Sequence, residues 1–408
     1  MKVVFTAAHG GFAAQKVPLG GGGAVCDQLI REWTSTPPFH GGIDLLTPAI
    51  LGKGAPDGKA LVRYSEREYA AFCRDFEKAS TRRILDHYNP SDTAVLVNDV
   101  SEGPDFESLA ARGFRIYTIY HVDVVAYVAD IYARGLLSPK TMARAYEYLS
   151  WAVPDIAKLV FQKQKDSVLY SRKCIVPSQR VKSILRDCYP QRKDDFVEVV
   201  PWGTWATDPD EAALQPELQR LREELGLDEG EPLLLTLSRI SPEKGQDRLL
   251  EALLGYPDPL AVIICGEPAF MQGRKHWDKL QRLAAALPPH IKVRFPGHVT
   301  GIEKQAFFHL ADLYIFPSRH ESYGLTLMEA LHAGLPAICL DHQGARDIMH
   351  DDFGRIVSPD RLAATIRELL ADPQQRARMS AAAREFALRN PFSAAAARIA
   401  ALLHSNEA

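Results

Sequence analysis

The chain has 408 residues, of which 46% are hydrophobic and 24% are charged, and these fractions are typical of a folded globular protein. A formal net charge of -3 offers no global attraction to nucleic acid, so no nucleic-acid partner is expected. This length exceeds what one ordinary hydrophobic core organises and therefore predicts two domains.

The six cysteines are scattered and form no Cys-x-x-Cys pair. This usage is typical of reduced thiols in the cytoplasm rather than of a disulfide framework or a zinc site. The chain opens on a strand-like run without the apolar core of a signal peptide, and no apolar stretch approaches the roughly 20 residues of a membrane span. We therefore expect a cytoplasmic protein, with any membrane contact being peripheral, at the inner face of the membrane.

Short apolar runs rich in β-branched residues alternate with helical patterns along the whole chain. The predicted strands are 2–7, 43–47, 94–98, 114–120, 173–177, 196–200, 232–238, 260–265, 291–295, 312–316 and 336–340. The predicted helices include 65–87, 140–149, 154–170, 274–287, 361–371 and an alanine-rich segment over about 376–404 that is interrupted at Asn390-Pro391. This alternation predicts an α/β fold with parallel sheets covered by helices on both faces.

A polar segment that follows Pro201-Trp202-Gly203-Thr204 marks the predicted domain boundary. We expect two Rossmann-like parallel-sheet domains, 1–203 and 204–388, and a final helix over 389–408 that crosses back onto the first domain. Two such domains facing a central cleft bind ligands at the carboxyl ends of their strands.

Four glycines, Gly20 to Gly23, precede an amphipathic helix that runs to about Trp33. Glycine permits close approach of the backbone to a ligand, and a flexible loop would have the same composition. The run does not fit the dinucleotide fingerprint, because it lies well after the first strand and no matched acidic residue follows the second strand.

Asn98 and Asp99 follow a predicted strand of the first domain, and we interpret them as facing an acceptor. A polar loop without a role is the alternative. Farther along the chain, basic residues outnumber acidic ones over 158–193. An anionic membrane would attract this stretch by roughly 1 kcal/mol per nearby basic side chain, and a solvated helix face is the alternative.

Two cations, Arg239 and Lys244, lie just past the carboxyl end of a predicted strand in the stretch SRISPEKG. Both can reach one diphosphate, since arginine offers a planar fork of donors and lysine a mobile point charge. Solvated loop charges are the alternative.

The most informative stretch reads PSRHESYGL over 317–325, after a strand that ends at Phe316. A helix is predicted to start near Gly324, and its free first-turn N–H groups can receive a phosphate. Glu329 lies inside this apolar helix, where burial without a partner would be costly. Sugar hydroxyls would supply the partner, and a nearby arginine is the alternative.

In combination, these stretches resemble the retaining glycosyltransferases of family 4 (group 1), which have the GT-B fold. The family pattern is an R-x-x-P-E-K-G stretch followed by E-x7-E, and it is found here at Arg239, Lys244, Glu321 and Glu329. The resemblance covers most of 196–400, whereas over 1–195 it rests on the glycine run, on His121 and on the order of elements. The segment 343–347 departs from the family's Gly-Gly with a later glutamate.

The resemblance implies roles for individual residues. Arg239 and Lys244 would hold the donor diphosphate, Glu321 the transferred sugar and Glu329 the ribose. His121 would lie near the sugar, and a histidine without that role is the alternative. The catalytic residues implied are Arg239, Lys244, Glu321 and His121. The donor-binding residues implied are Gly22, Gly23, His298, Val299, Ser322, Tyr323, Gly324, Leu325 and Glu329.

The implied function is transfer of a sugar with retention of configuration from a nucleoside diphosphate sugar, with UDP favoured and GDP second. The first domain would lie on the acceptor side and the second would bind the nucleotide sugar. The resemblance implies no bound metal, since Arg239, Lys244 and a helix N-terminus can meet the charge of the donor. No cofactor is expected, because the nucleotide sugar is a co-substrate. The alternatives are a sugar phosphorylase, a nucleotide-sugar epimerase, or an inactive nucleotide-sugar-binding protein.

Overall fold

The structure is a computed structural model that describes residues 1–10, 20–56, 61, 64–126, 137–149, 151, 153–228, 230–269 and 272–405. The last three residues of the predicted final segment, 406–408, lie outside the described residues. The chain divides into two compact units, which are Met1–Trp202 with Ser393–Ala408 and Gly203–Phe392.

The first unit is built on a six-stranded parallel sheet with the order β2-β1-β3-β4-β5-β6. Its strands are β1 (Lys2–Thr6), β2 (Ile43–Leu46), β3 (Thr93–Val97), β4 (Arg115–Ile119), β5 (Lys173–Val176) and β6 (Val197–Val199). Its helices are α1 (Gly21–Ser35), α2 (Glu66–His87), α3 (Phe106–Ala111), α4 (Pro139–Leu149), α5 (Asp155–Tyr170) and α6 (Gln179–Cys188), with a 3₁₀ segment over Pro48–Gly54. The central strand β3 is buried throughout, as expected for a parallel sheet covered on both faces.

The second unit repeats this plan with a parallel sheet in the order β12-β11-β10-β7-β8-β9. Its strands are β7 (Leu233–Leu237), β8 (Leu260–Cys265), β9 (Ile291–Gly297), β10 (Leu313–Phe316), β11 (Ala337–Leu340) and β12 (Gly354–Val357). Its helices are α7 (Glu211–Leu225), α8 (Gln246–Ala252), α9 (Gly273–Ala286), α10 (Gly301–Leu310), α11 (Leu325–His332), α12 (Gln343–Ile348), α13 (Leu362–Ala371) and α14 (Pro373–Arg389), with 3₁₀ turns at Pro242–Lys244 and Pro359–Arg361.

The predicted alternation into parallel sheets is confirmed, and one strand was missed. The twelfth strand, β12, is only four residues long and partly exposed at the edge of the second sheet. Its sequence therefore lacks the continuous apolar run by which the buried strands were predicted.

The last described helix, α15 (Phe392–His404), follows the predicted break at Asn390-Pro391. The indole N–H of Trp33 in α1 donates to the carbonyl of Ala396 in α15 at 3.2 Å. The guanidinium of Arg398 pairs with Glu198 at 2.5 Å. These contacts attach α15 to the first unit.

The glycine run differs from the loop that was predicted to precede α1. Gly20 has a φ of 92° and is the N-cap residue, and α1 begins at Gly21. Gly22 and Gly23 thus form the first helical turn, so their backbone N–H groups point out of the start of the helix.

Candidate active site

Two charged groups meet where β7 and β10, neighbours in the second sheet, have their carboxyl ends. Lys244 ends the 3₁₀ turn after β7, and Glu321 lies in the loop after β10. The Nζ atom of Lys244 donates to Oε1 of Glu321 at 2.5 Å, and the Ser318 hydroxyl donates to the same oxygen at 3.1 Å. Only 15% of the lysine side chain and 14% of the glutamate side chain are exposed.

The carboxylate form of Glu321 is favoured in this pair. Burial by itself would raise the pKa of Glu321, but the charge of Lys244 and the hydrogen bonds from Lys244 and Ser318 bring that pKa below its usual value. The site therefore contains a carboxylate and an ammonium group in a largely water-excluded setting, where electrostatic interactions with a ligand are strong.

Two residues outside the predicted site join its two loops. Asp247 in α8 accepts both branches of the Arg319 guanidinium, at 2.7 and 2.9 Å. Arg319 also donates to the carbonyl of Pro242 at 2.8 Å, and its backbone N–H donates to the carbonyl of Glu243 at 2.7 Å. Burial opposes ionisation of Asp247, yet Arg319 and Lys279 hold its pKa well below the usual range. Sequence reasoning missed this pair, because nothing local links two residues 72 positions apart.

Buried hydroxyl groups flank the Lys244–Glu321 pair. The hydroxyls of Ser241 and Ser322 are buried and have no hydrogen-bond partner among the residues that the structure describes. Arg239 lies in the same loop as Ser241, with its Nη2 atom 3.9 Å from Glu243 Oε1. Because buried polar groups are almost always paired, unpaired hydroxyls beside a charged pair indicate a place for a polar ligand.

Glu329 has a charged partner. Its Oε1 accepts from the Nζ atom of Lys304 in α10 at 2.7 Å. The structural alternative to a ligand was an arginine, and the residue found is a lysine instead. With 15% of the glutamate and 28% of the lysine side chain exposed, the pair is less enclosed on its lysine side. The role of Glu329 toward a ribose stays a prediction.

The remaining predicted donor residues of this unit lie on two loops, apart from Leu325, which is the first residue of α11. Gly324, with a φ of 130°, precedes α11, and no side chain in the described part of the chain caps that helix. The Tyr323 hydroxyl accepts from the backbone N–H of Gly203 at 2.8 Å, so its side chain is engaged in the fold. His298 and Val299 follow β9, which β7 and β8 separate from β10; His298 is exposed and Val299 is buried.

The predicted residues of the first unit form a chain of contacts at the carboxyl edge of its sheet. His121 Nε2 lies 3.0 Å from Asn98 Oδ1, and the Asn98 amide donates to the carbonyl of Gly22 at 3.3 Å. A Cβ on Gly22 would come within 3.0 Å of His121 Cδ2, which explains a glycine there. Burial lowers the pKa of His121 to about 4 against the opposing charge of Asp99, so the ring is neutral at physiological pH.

Asp99 belongs to a second cluster, which sequence reasoning missed in part. His9 Nδ1 lies 3.1 Å from Asp99 Oδ1, and His9 Nε2 lies 3.6 Å from Glu102 Oε1, which also accepts the Tyr69 hydroxyl. Burial opposes ionisation of Asp99, but His9 outweighs it and lowers the pKa to about 2. Burial raises the pKa of Glu102 despite His9. The two carboxyl groups around His9 therefore have pKa values shifted in opposite directions. Such a difference suits one group to hold a proton while the other stays ionised. The available signal was the position of His9, just after β1.

The basic stretch 158–193 is only partly a solvated face. Lys163 is buried, donates to the carbonyls of Gly103 and Pro104 at 2.9 Å each, and pairs with Glu77. Farther along, Asp195 pairs with three basic residues of the stretch, which are Lys173, Lys182 and Arg186. These side chains are therefore largely neutralised within the fold, although Lys158, Arg180 and Lys193 remain exposed.

Neither a membrane span nor a metal cluster is found in the described ranges. No helix there combines the length and apolar character needed to cross a bilayer. Nor does any group of three or more histidine, cysteine, aspartate or glutamate side chains in those ranges come together as metal ligands would.

Comparison with known proteins shows which proteins the second unit resembles. Residues 218–386 match the family described as glycosyl transferases group 1. The chain is 32% identical over 215 residues to the GDP-mannose-dependent alpha-(1-6)-phosphatidylinositol monomannoside mannosyltransferase of Mycolicibacterium smegmatis, covering 49% of this chain and 53% of that protein. It is 29% identical over 206 residues to the alpha-monoglucosyldiacylglycerol synthase of Streptococcus pneumoniae, covering 49% and 45%. The chain thus spans about half the length of these curated relatives.

Solved structures extend the likeness to the whole fold. Sucrose-phosphate synthase from Thermosynechococcus elongatus superposes with a TM-score of 0.72 at 19% identity, covering 98% of both chains. Anabaena HepE in complex with UDP-glucose gives a TM-score of 0.65 at 17% identity, covering 99% of both chains. The predicted GT-B fold is therefore confirmed, and the second unit resembles the group 1 (family 4) glycosyltransferases over residues 218–386.

The loop after β10 and the start of α12 touch through their backbones, which predicts an effect of substituting Gly344. Its N–H donates to the carbonyl of Glu321 at 2.9 Å, and a Cβ there would lie 2.0 Å from the carbonyl oxygen of Tyr323. Gly344→Ala should destabilise the protein by about 1–3 kcal/mol through overpacking. Calorimetry should show a melting temperature lower by several degrees, at roughly 2–4 °C per kcal/mol. Gly255→Ala is the matched control, because a Cβ there meets nothing within 4 Å. Equal melting temperatures for both variants would contradict this packing.

Proposed function

We propose that this chain is a retaining, metal-independent glycosyltransferase that moves a sugar from a nucleoside diphosphate sugar to a hydroxyl of an acceptor. The observation that carries the proposal is the buried Lys244–Glu321 pair. A lysine suits a departing diphosphate, and a glutamate beside it suits the hydroxyls of the transferred sugar. The family of the second unit supports the same reaction class.

Charge stabilisation is the main catalytic task in such a transfer, since negative charge grows on the leaving diphosphate while the sugar ring becomes positive. In this proposal Lys244 and Arg239 meet the diphosphate, and the uncapped start of α11 adds backbone N–H donors. The role of His121 toward the sugar stays a prediction from the family resemblance. We propose a same-face substitution, in which the departing phosphate takes the proton of the acceptor hydroxyl as that hydroxyl attacks the sugar.

The base and the sugar of the donor are proposed from the proteins that this chain resembles. A relative of this chain is named as GDP-mannose-dependent, and a protein of the same fold was solved with UDP-glucose. We propose UDP as the favoured base and GDP as the second.

The acceptor side of the proposal rests on the first unit. Asn98, Asp99 and Glu102 lie together with His9 at one edge of the sheet, where carboxylate oxygens can accept hydrogen bonds from hydroxyls. The names of two relatives include phosphatidylinositol and diacylglycerol, which favours a lipid-linked acceptor.

The first experiment is a thermal-shift and turnover screen against UDP- and GDP-sugars, with and without EDTA. We expect one nucleotide sugar to raise the melting temperature and to be slowly hydrolysed, and EDTA to leave that turnover unchanged because side-chain cations replace the metal. Loss of activity in EDTA that Mg²⁺ or Mn²⁺ restores would contradict the metal-independent mechanism. Dependence on inorganic phosphate would identify a phosphorylase, conversion of the donor sugar an epimerase, and binding without turnover an inactive protein.

We further propose peripheral contact with anionic membranes through the exposed part of 158–193 and the neighbouring end of α4. Tyr148 and Trp151 there are 80% and 81% exposed, and large aromatic side chains of this kind suit the membrane interface. The exposed Lys158 belongs to the neighbouring helix, because its carbonyl accepts the hydroxyl of Tyr146 in α4 at 3.1 Å. Exposed basic and aromatic groups on neighbouring helices suit an anionic bilayer.

Vesicle sedimentation tests this contact. The protein should bind phosphatidylglycerol-containing vesicles at low salt and release them at high salt, since surface charge is screened. Replacing Tyr148 and Trp151 with alanine should reduce binding. Leu388→Ala is the control, because Leu388 is a large apolar residue of the second unit that is 55% exposed, and this variant should bind as the wild-type protein does. Equal binding to pure phosphatidylcholine, or none at low salt, would contradict the proposal.

A further inference from the structure

One histidine of the second unit has a role that no motif assigned. His342 follows β11 and is the N-cap residue of α12, where its Nδ1 atom accepts the backbone N–H of Ala345 at 3.2 Å. Because Nδ1 accepts this hydrogen bond, the proton of the neutral ring is on Nε2. Burial lowers the pKa of His342 to about 4, so the ring is neutral at physiological pH.

The outer nitrogen of this ring is an unpaired donor. His342 is only 6% exposed, and its Nε2 atom has no hydrogen-bond partner among the described residues. One face of its surroundings is apolar, since the Phe316 ring meets the imidazole edge-on at a centroid distance of 5.0 Å. A buried N–H that points into no protein acceptor is uncommon and indicates a ligand.

The ring lies in the electrostatic neighbourhood of the candidate active site. The backbone N–H of Gly344, two residues after His342, donates to the carbonyl of Glu321 at 2.9 Å, and the charges of Glu321 and Lys244 both act on the His342 ring. This proximity follows from the sheet, because β11 is the neighbour of β10 and both strands end at the same edge. An N–H donor and a carboxylate acceptor at one site are complementary to a hydroxyl, which accepts one hydrogen bond and donates another.

We propose that His342 is a specificity-determining residue whose Nε2–H donates to a hydroxyl of the transferred sugar, the same hydroxyl that donates to Glu321. The assignment rests on the proposed function. It deepens that function by requiring one particular hydroxyl on the sugar, since a site built to pair a hydroxyl discriminates against a sugar that lacks it.

Two substitutions separate this role from the capping role. His342→Ser keeps a strong N-cap acceptor and removes the distant N–H, whereas His342→Ala removes both. We expect His342→Ser to melt near the wild-type temperature and His342→Ala to melt lower. Both should lose about 10-fold or more in kcat/KM with the nucleotide sugar, which corresponds to about 1.4 kcal/mol. Calorimetric affinity for the free nucleoside diphosphate should stay within about twofold, because that ligand has no sugar hydroxyl at this position.

A series of deoxy donor analogues completes the test. With the wild-type protein one deoxy sugar should be transferred or hydrolysed far more slowly, and with His342→Ser that same analogue should show little further loss, as coupled partners do in a double-mutant cycle. Wild-type turnover by His342→Ser would overturn this assignment alone and leave His342 a cap. If His342→Ser weakened binding of the free nucleoside diphosphate as much as it lowered kcat/KM, His342 would contact the phosphates and not the sugar, which would also overturn the assignment. Absence of any nucleotide-sugar binding by the wild-type protein would overturn the proposed function together with it.

Discussion

Replacing Lys244 with alanine is expected to lower kcat about 10²–10³-fold, the loss typical of removing one preorganised electrostatic donor. The ammonium group is held in a largely buried setting, 2.5 Å from Glu321, where its interaction with charge is stronger than in water. Charge on the leaving diphosphate grows toward the transition state, so the loss should fall on kcat more than on donor binding.

The measurement is steady-state kinetics beside calorimetric titration with the nucleoside diphosphate. Lys275→Ala is a matched control, because Lys275 is an exposed lysine on α9 of the same unit. The variant also leaves Glu321 buried without its lysine, so its melting temperature should be recorded before the kinetics are interpreted. An unchanged kcat in a folded Lys244→Ala protein would remove Lys244 from the site.

Glu321→Gln and Glu329→Gln are expected to have different effects, although both replace a carboxylate by an amide of similar shape. Glu321 lies beside Lys244, and the proposal assigns it to the sugar, whose ring changes charge during the reaction. Glu321→Gln should therefore cut kcat severely and leave affinity for the free nucleoside diphosphate nearly intact.

Glu329 is assigned to the ribose, which does not change during the reaction. Glu329→Gln should weaken nucleoside diphosphate binding by about 1–3 kcal/mol, through loss of a charge-assisted hydrogen bond. The Lys304 pair supplies a control, because Lys304→Met also removes the ion pair but keeps the carboxylate. Binding lost in Glu329→Gln and retained in Lys304→Met would assign the effect to the ligand rather than to the pair.

The opposite pattern would reverse the placement of sugar and nucleotide. That pattern is loss of nucleotide binding in Glu321→Gln with none in Glu329→Gln. If neither substitution altered binding or turnover in a folded protein, both glutamates would be structural and the proposed function would lose its main support.

Much of the architecture could be predicted from the sequence, because strand and helix formation depends on patterns within a few residues. Buried strands such as β3 and β8 are continuous apolar runs, and the break between α14 and α15 follows from Asn390-Pro391. The two elements that the sequence did not predict correctly also depend on a few neighbouring residues. The partly exposed β12 has no such run, and the glycines after Gly20 form a helical turn instead of a loop.

By itself, then, the sequence determined the two α/β units, the resemblance of the second to a known family, and the presence of Lys244, Glu321 and Glu329 in its motifs. Tertiary structure alone decided which groups meet. Lys244 and Glu321, 77 positions apart, form a pair because β7 and β10 are neighbours whose carboxyl ends share one edge. The same edge brings His342 close to Glu321. A side chain's partners depend on the order of strands in a sheet, and that order is fixed by long-range packing that no local pattern of residues contains.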